Sequence, residues 1–183
     1  MGIVKERFKE KSDAANIEIK NLLKEHGNKV IGEVTLSQIY QGMRGMTGLV
    51  TETSLLDAQE GIRFRGFSIP ELQQKLPKAN GGAEPLPEGL FYLMLIGELP
   101  TMDDVNHITN VWQRRSHVPS HVFSAIDSLL LYAHPMTMFV IGVMALQTEG
   151  HFVKEYSNGI NKKDYWNSVY DDCRDLSARL PRI

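Results

Sequence analysis

The sequence predicts a mainly α-helical fold with one small β-hairpin near residues 50–67. Three observations predict it. Apolar residues recur at helical spacing along most of the chain, which marks amphipathic helices. Glycine or proline marks the ends of several of these segments, at Gly27, Gly97, Pro100 and Pro135, as stop and start signals do. Only one stretch, around "LVTETSLL" and "IRFRGF", alternates in the manner of strands.

The first helix is expected from about Ile3 to Glu25, where Val4, Phe8, Ala15, Ile19, Leu22 and Leu23 share a helical spacing. Lys24 and His26 suit its negative end, and Gly27 supplies a stop. The β-branched "KVIGEVTLSQIY" reads as extended. In the hairpin, Asp57-Ala-Gln-Glu-Gly61 is the turn. Ser68-Ile-Pro-Glu71 matches a capping box with Pro70 in the first turn, opening a short helix that ends near Leu76. "PKANGGAEPLP" reads as a loop.

Four more helices follow before the last. "EGLFYLMLIGELP" is apolar nearly all round and closes on Gly97 and Pro100, and Thr101-Met-Asp-Asp104 caps a helix running to about Ser116. Ser120 is expected to cap "HVFSAIDSLLLYA", and a Met-rich core helix runs from Pro135 to about Gln147. The final helix, about Lys162 to Leu180, carries Tyr165, Val169, Cys173, Leu176 and Leu180 on one face. The chain closes on the apolar "LSARLPRI", which suggests a truncation. No internal repeat, low-complexity tract or linker divides it.

Composition narrows the function. The 183 residues are 42% hydrophobic and 23% charged, ordinary for a packed globular chain. A net charge of −2 argues against a nucleic-acid partner. The longest apolar run, "PMTMFVIGVMAL" at 135–146, is too short to span a bilayer, so no membrane role is expected. The single cysteine, Cys173, precludes an internal disulfide and is expected to be a buried small hydrophobe. "MGIVKERFKE" has neither a secretory nor a presequence texture, and Glu6 breaks the myristoylation pattern of its Met-Gly start.

Few residues invite chemistry. His117 and His121 have metal-pair spacing, but Pro119 between them disfavours a shared helical face and no third ligand stands nearby. No metal site is expected. His134 precedes Pro135 and reads as a helix-start hydrogen-bonding group before it reads as a catalytic one. Asp171 and Asp175, one turn apart among Lys163, Arg174 and Arg179, read as a solvated charged face. Walker, dinucleotide, nucleophile-elbow and zinc patterns do not occur. The remaining signal is "GMRGMTG", where Gly42, Gly45 and Gly48 surround Arg44. Glycine costs a helix about 1 kcal/mol against alanine. Such a tract is either a backbone-exposed turn offering one guanidinium to an anion or a tight crossing of chain segments.

Longer words carry a resemblance. "QGMRGMTGLVTETSLLDAQEGIRFRGFSIPE" and "EPLPEGLFYLMLIGELPT", with Pro119-Ser-His-Val122, His134-Pro-Met136 and Tyr165-Trp166, resemble citrate synthase of the eukaryotic mitochondrial type. The resemblance covers the chain from about His26 onward, and the first 25 residues match only loosely. It implies the N-terminal part of a helical large domain over residues 1–183, with the small domain and the rest of the large domain absent. It implies an acyltransferase that condenses acetyl-CoA with oxaloacetate and water to citrate and CoA, working as a homodimer in the mitochondrial matrix. No cofactor is implied, acetyl-CoA being a co-substrate.

In the family two histidines and an aspartate do the acid–base work, and none of their motifs lies in residues 1–183, so no catalytic residue is assigned here. The resemblance assigns coenzyme binding to Arg44, whose family counterpart lies near the acetyl-CoA phosphates, and to Lys162 of "GINKKDYW", which replaces a family arginine. Arg63 and Arg65 are expected to form structural ion pairs. A 2-methylcitrate synthase taking propionyl-CoA, or a non-catalytic helical assembly module, are the alternative readings.

Overall fold

The structure, a computed structural model, describes residues 2–46 and 48–183. Met1 of the Met-Gly start and Thr47 of the glycine tract lie outside the described residues. The chain divides into two compact units, Met1–Val105 and Asn106–Ile183.

In the first unit, α1 runs Ile3–His26 and buries only Val4 and Lys5, while Ile17, Leu22 and Leu23 remain exposed. It is pinned to the unit by Arg7, whose guanidinium donates to the Tyr92 hydroxyl and, at 3.2 Å, to Asp104. Where the sequence reads as extended, a short helix α2 forms over Leu36–Tyr40. Its Thr35 and Gln38 make a reciprocal capping box, which supplies the start that β-branched composition concealed.

The expected hairpin is present and gains a third strand. β1 (Ser54–Asp57), β2 (Gly61–Phe64) and β3 (Phe67–Ser68) form an antiparallel sheet in that order, with Ser54 opposite Phe64 and Phe64 opposite Phe67. The second turn uses Arg65 at φ 47° and Gly66 at φ 85°, the double left-handed geometry that follows strand twist. An arginine is uncomfortable there. Its guanidinium offsets the strain by donating to the Met94 carbonyl at 2.7 and 3.2 Å and to the Glu52 carbonyl at 3.4 Å.

The first turn is held by Asp57, which accepts from the N–H groups of Glu60 at 2.9 Å and Gln59 at 2.7 Å. Those two bonds, Glu60 first, hold the Asp57 carboxyl below its ordinary value. A folded value below the unfolded one gives stability that is present above the unfolded pKa and lost as pH falls through the folded one. Asp57→Ala should therefore destabilise the protein at neutral pH and cost less near pH ~2, under the ordinary carboxylate range. Urea unfolding at both pH values checks this, and an equal loss at both would contradict it.

After the sheet, α3 (Ile69–Lys75) opens with the expected capping box, Ser68 and Glu71 bonding reciprocally. α4 (Pro87–Ile96) closes on Gly97 at φ 80°, as a left-handed helix end requires. Leu72, Leu76 and Leu93 form the core of this unit, with Phe64, Phe67 and Leu90 packed against them. α5 (Met102–Arg115) begins as expected, the Asp104 carboxylate accepting from Thr101 N and Oγ1 at 3.0 and 2.7 Å.

The second unit holds α6 (Ser120–Asp127), α7 (Pro135–Ala145), α8 (His151–Ser157) and α9 (Tyr165–Arg179), with 3-10 turns at Leu146–Glu149, Lys162–Asp164 and Leu180–Arg182. α6 is shorter than the sequence suggests. Pro119 occupies the capping position, so Ser120 is the first helical residue and not the cap. Val118, Val122 and Leu146 form the core, with Ile126, Ala145 and Ile183 against it. Gly142 admits a close approach at this crossing, since a Cβ there would stand 2.5 Å from Ile183 Cγ2 and 2.9 Å from Ile126 Cδ1.

α9 reverses the expected face. Val169 is 47% exposed, Leu176 37%, and Cys173 is exposed, whereas Ser168, Tyr170, Asp175 and Ala178 are buried. The reason lies in α8, which sequence reading missed. Asp172 of α9 caps it, accepting from His151 N at 2.6 Å and Phe152 N at 2.9 Å. Asp175 beside it bonds Arg115 at 2.7 Å and His151 Nε2 at 3.2 Å, with Arg174 at 3.6 Å. The expected solvated face is thus a buried ion-pair cluster, and the apolar residues are left lining a hollow of about 400 Å³ with Val143, Leu146 and Val153.

Candidate functional site

The glycine tract follows directly from α2. A helix this short must end sharply, and it does so in a Schellman motif. Gly42 N donates to the Ile39 carbonyl at 3.4 Å and Met43 N to the Gln38 carbonyl at 2.7 Å, with Gly42 at φ 74°. A second turn follows at once, Met46 N donating to the Met43 carbonyl at 3.3 Å with Gly45 at φ 75°. Met43 itself sits at φ 60°, a position ordinary side chains rarely take. Gly42 and Gly45 thus answer a backbone demand, and two turns meet at Arg44.

Arg44 is exposed at that junction. Among the described residues its guanidinium meets no hydrogen-bond or ion-pair partner. The contrast with Arg63 and Arg65 is chemical. Arg63 is tied to Glu60 at 3.0 Å and to the Gly66 carbonyl at 3.2 Å, and Arg65 is spent on backbone carbonyls with Glu52 at 3.9 Å. Both are structural, Arg65 more as a carbonyl ligand than as an ion pair. Of these three, Arg44 alone meets no partner among the described residues, and a planar fork suits paired phosphate or carboxylate oxygens. The flanking glycines add no side chain to obstruct an approach: a Cβ on Gly42 would meet nothing within 4 Å.

Lys162 belongs to the second unit. It opens the 3-10 turn Lys162–Asp164, which Asn161 starts by accepting from Lys163 N at 3.1 Å. Its ammonium is exposed and unpartnered among the described residues. The structure therefore places Arg44 and Lys162 on different units, each cation without a partner among the described residues.

The remaining sequence candidates are structural. His134 caps α7, its Nδ1 accepting from Met136 N at 3.1 Å, as the helix-start reading expects. His121 Nε2 lies 3.1 Å from the Ala145 carbonyl and 3.2 Å from Thr148 Oγ1. Among the described residues no group of three or more His, Cys, Asp or Glu side chains could hold a metal, and no single helix is long and apolar enough to cross a membrane. Cys173, expected to be buried, is exposed, yet the packing of α9 still pushes its thiol above the ordinary value, with a hydrogen bond from Ser177 opposing. Its thiolate is not favoured.

Sequence reasoning missed Gln38 and the Asp172–Asp175 pair. The signal for Gln38 was present, because Thr35-Leu-Ser-Gln38 has the spacing of a capping box. The Asp172 cap has no local signal, since its helix lies about twenty residues upstream.

A family model described as "Citrate synthase, C-terminal domain" matches residues 42–183. The chain is 53% identical over 180 residues to "Citrate synthase, mitochondrial" of Aspergillus niger, covering 98% of this chain and 38% of that relative. Against the protein of the same name in Saccharomyces cerevisiae it is 52% identical over 180 residues, with coverage of 98% and 38%. Against that of Kajikia audax it is 50% identical over 165 residues, covering 90% and 35%. The chain thus spans well under half the length of these relatives.

Proposed function

This chain belongs to the citrate synthase family, and on that premise we propose that the whole protein condenses acetyl-CoA with oxaloacetate and water to give citrate and CoA. Residues 1–183 are read as the N-terminal part of the large domain, which grips the coenzyme. The groups that make the carbon–carbon bond, two histidines that polarise carbonyls and an aspartate that takes the methyl proton, lie in polypeptide outside them.

The observation that carries the reading is Arg44: an exposed guanidinium without a partner among the described residues, held on paired glycine turns inside the matched stretch. Its planar pair of N–H donors fits phosphate oxygens, and acetyl-CoA brings such oxygens at the end remote from its thioester. Lys162 offers a second cation of weaker directionality. The mitochondrial names of the relatives support a place in the matrix. A homodimer is supported by an unpartnered apolar stripe on α7, where Met136 is 58% exposed, Val140 53% and Met144 67% at one-turn intervals.

Following thiol release from acetyl-CoA tests the function. The whole protein should release CoA only when oxaloacetate is present, and propionyl-CoA should be the poorer substrate. Release independent of oxaloacetate, or none, would overturn the reading. Faster release from propionyl-CoA would replace it with 2-methylcitrate synthesis.

A further inference from the structure

We propose that Gln38 is the positioning residue for Arg44, an inference that rests on reading Arg44 as a ligand for the coenzyme phosphates. α2 has five residues, too few to persist by its own hydrogen bonds. Its two ends must be fixed by something else, and Gln38 is fixed to both. Its side-chain Oε1 accepts from Thr35 N at 2.9 Å and from Thr35 Oγ1 at 3.2 Å, while its own N–H donates to Thr35 Oγ1 at 3.2 Å. Its carbonyl accepts from Met43 N at 2.7 Å, the bond that closes the helix one residue before Arg44.

The same side chain reaches past the helix to the far side of the turn. Gln38 Nε2 stands 4.0 Å from where a Cβ on Gly45 would be, so it lies against the residue that follows Arg44. With Ile31, Val34, Gly45 and Met46 it lines a hollow of about 160 Å³. It is half-buried where the rest of the segment from Lys29 to Gly45 is exposed. Arg44 is therefore bracketed: Met43 before it hangs on the Gln38 carbonyl, and Gly45 after it rests beside the Gln38 amide.

The consequence is preorganisation. A left-handed Met43 between two left-handed glycines is a strained arrangement that needs external support. Removing the Gln38 side chain opens the capping box and takes away one wall of the hollow, so the turn samples more conformations. The guanidinium then loses more freedom on binding a phosphate, and affinity for the coenzyme falls without any change in the reacting groups.

Steady-state kinetics of thiol release by the whole protein test this. Gln38→Ala should raise the KM for acetyl-CoA about three- to fivefold, the scale of a lost helix cap, leaving kcat and the KM for oxaloacetate unchanged. Gln38→Glu keeps the box acceptor and should restore the KM to within about twofold. In the Arg44→Ala background, Gln38→Ala should add nothing, because the group it positions is gone. If Gln38→Ala does not fold, Thr35→Ala, which removes the other half of the box, should show the same selective rise in KM.

Two results are decisive against the inference. Should Arg44→Ala raise the KM while Gln38→Ala or its Thr35→Ala substitute does not, or should the two effects multiply in the double variant, Gln38 does not position Arg44 although the phosphate reading survives. Should Arg44→Ala leave the KM unchanged, the phosphate reading falls and this inference falls with it.

Discussion

Asp175→Ala is expected to cost the protein about 2–4 kcal/mol of stability, somewhat under the full cost of breaking a buried ion pair. The Asp175 side chain is only 11% exposed and is the common partner of Arg115 at 2.7 Å, His151 at 3.2 Å and Arg174 at 3.6 Å. Arg174 is itself largely buried and keeps its 2.7 Å pair with Asp171, so losing Asp175 removes the second of its two counter-charges in a site with reduced access to water. Arg115 and His151 are partly exposed and can rehydrate, which is why the lower part of the range is included. The loss should be concentrated around α8, whose first turn is anchored to α9 by Asp172 and Asp175 together. Urea unfolding of the native protein and the variant measures it, with hydrogen exchange of residues 151–157 reporting the location. A change within about 0.5 kcal/mol, the range of ordinary surface substitutions, would show that the cluster is a solvated face after all.

Arg44→Ala is expected to weaken acetyl-CoA binding by about tenfold, because a hydrogen bond to a charged group contributes roughly 1.5–3 kcal/mol. Stability should hardly move, since the guanidinium has no protein partner among the described residues to lose. That separation makes the experiment clean: a structural role for the arginine would lower the unfolding midpoint, and a ligand role would raise the KM for acetyl-CoA alone. Arg44→Lys should recover part of the affinity, keeping the charge without the fork. An acetyl-CoA KM equal to that of the native protein would contradict the assignment.

What the sequence made legible follows from the range of the interactions. The starts of α3, α5 and α7 were readable because Ser68 with Glu71, Thr101 with Asp104, and His134 with Met136 act within three residues. The Asp57 turn and the left-handed Gly97 are equally local. α2 was missed although its signature was local, because the β-branched Val30, Ile31 and Val34 outweighed the Thr35–Gln38 spacing. α8 was not readable at all. Its cap, Asp172, arrives from another helix.

The last helix shows a different limit. Periodicity correctly gathered Val169, Cys173 and Leu176 on one side of α9, but it does not say which side its own unit covers. Here Asp175 and its cationic partners take the inward side, and the apolar side lines the hollow beside Val143 and Val153. For the candidate site, spacing alone left two readings of "GMRGMTG" open. The backbone decides the glycine part, since Gly42 and Gly45 take left-handed positions that end α2 and turn the chain. The ligand part came from the family resemblance.

The phosphate grip is tested most directly by comparing acetyl-CoA with acetyl-pantetheine, which has the thioester but neither phosphate nor nucleoside. The ratio of their kcat/KM values, measured by oxaloacetate-dependent thiol release in the whole protein, should fall by about tenfold in Arg44→Ala while the pantetheine rate stays unchanged. A ratio identical in the two proteins, or an equal loss with both thioesters, would contradict the role given to this glycine turn.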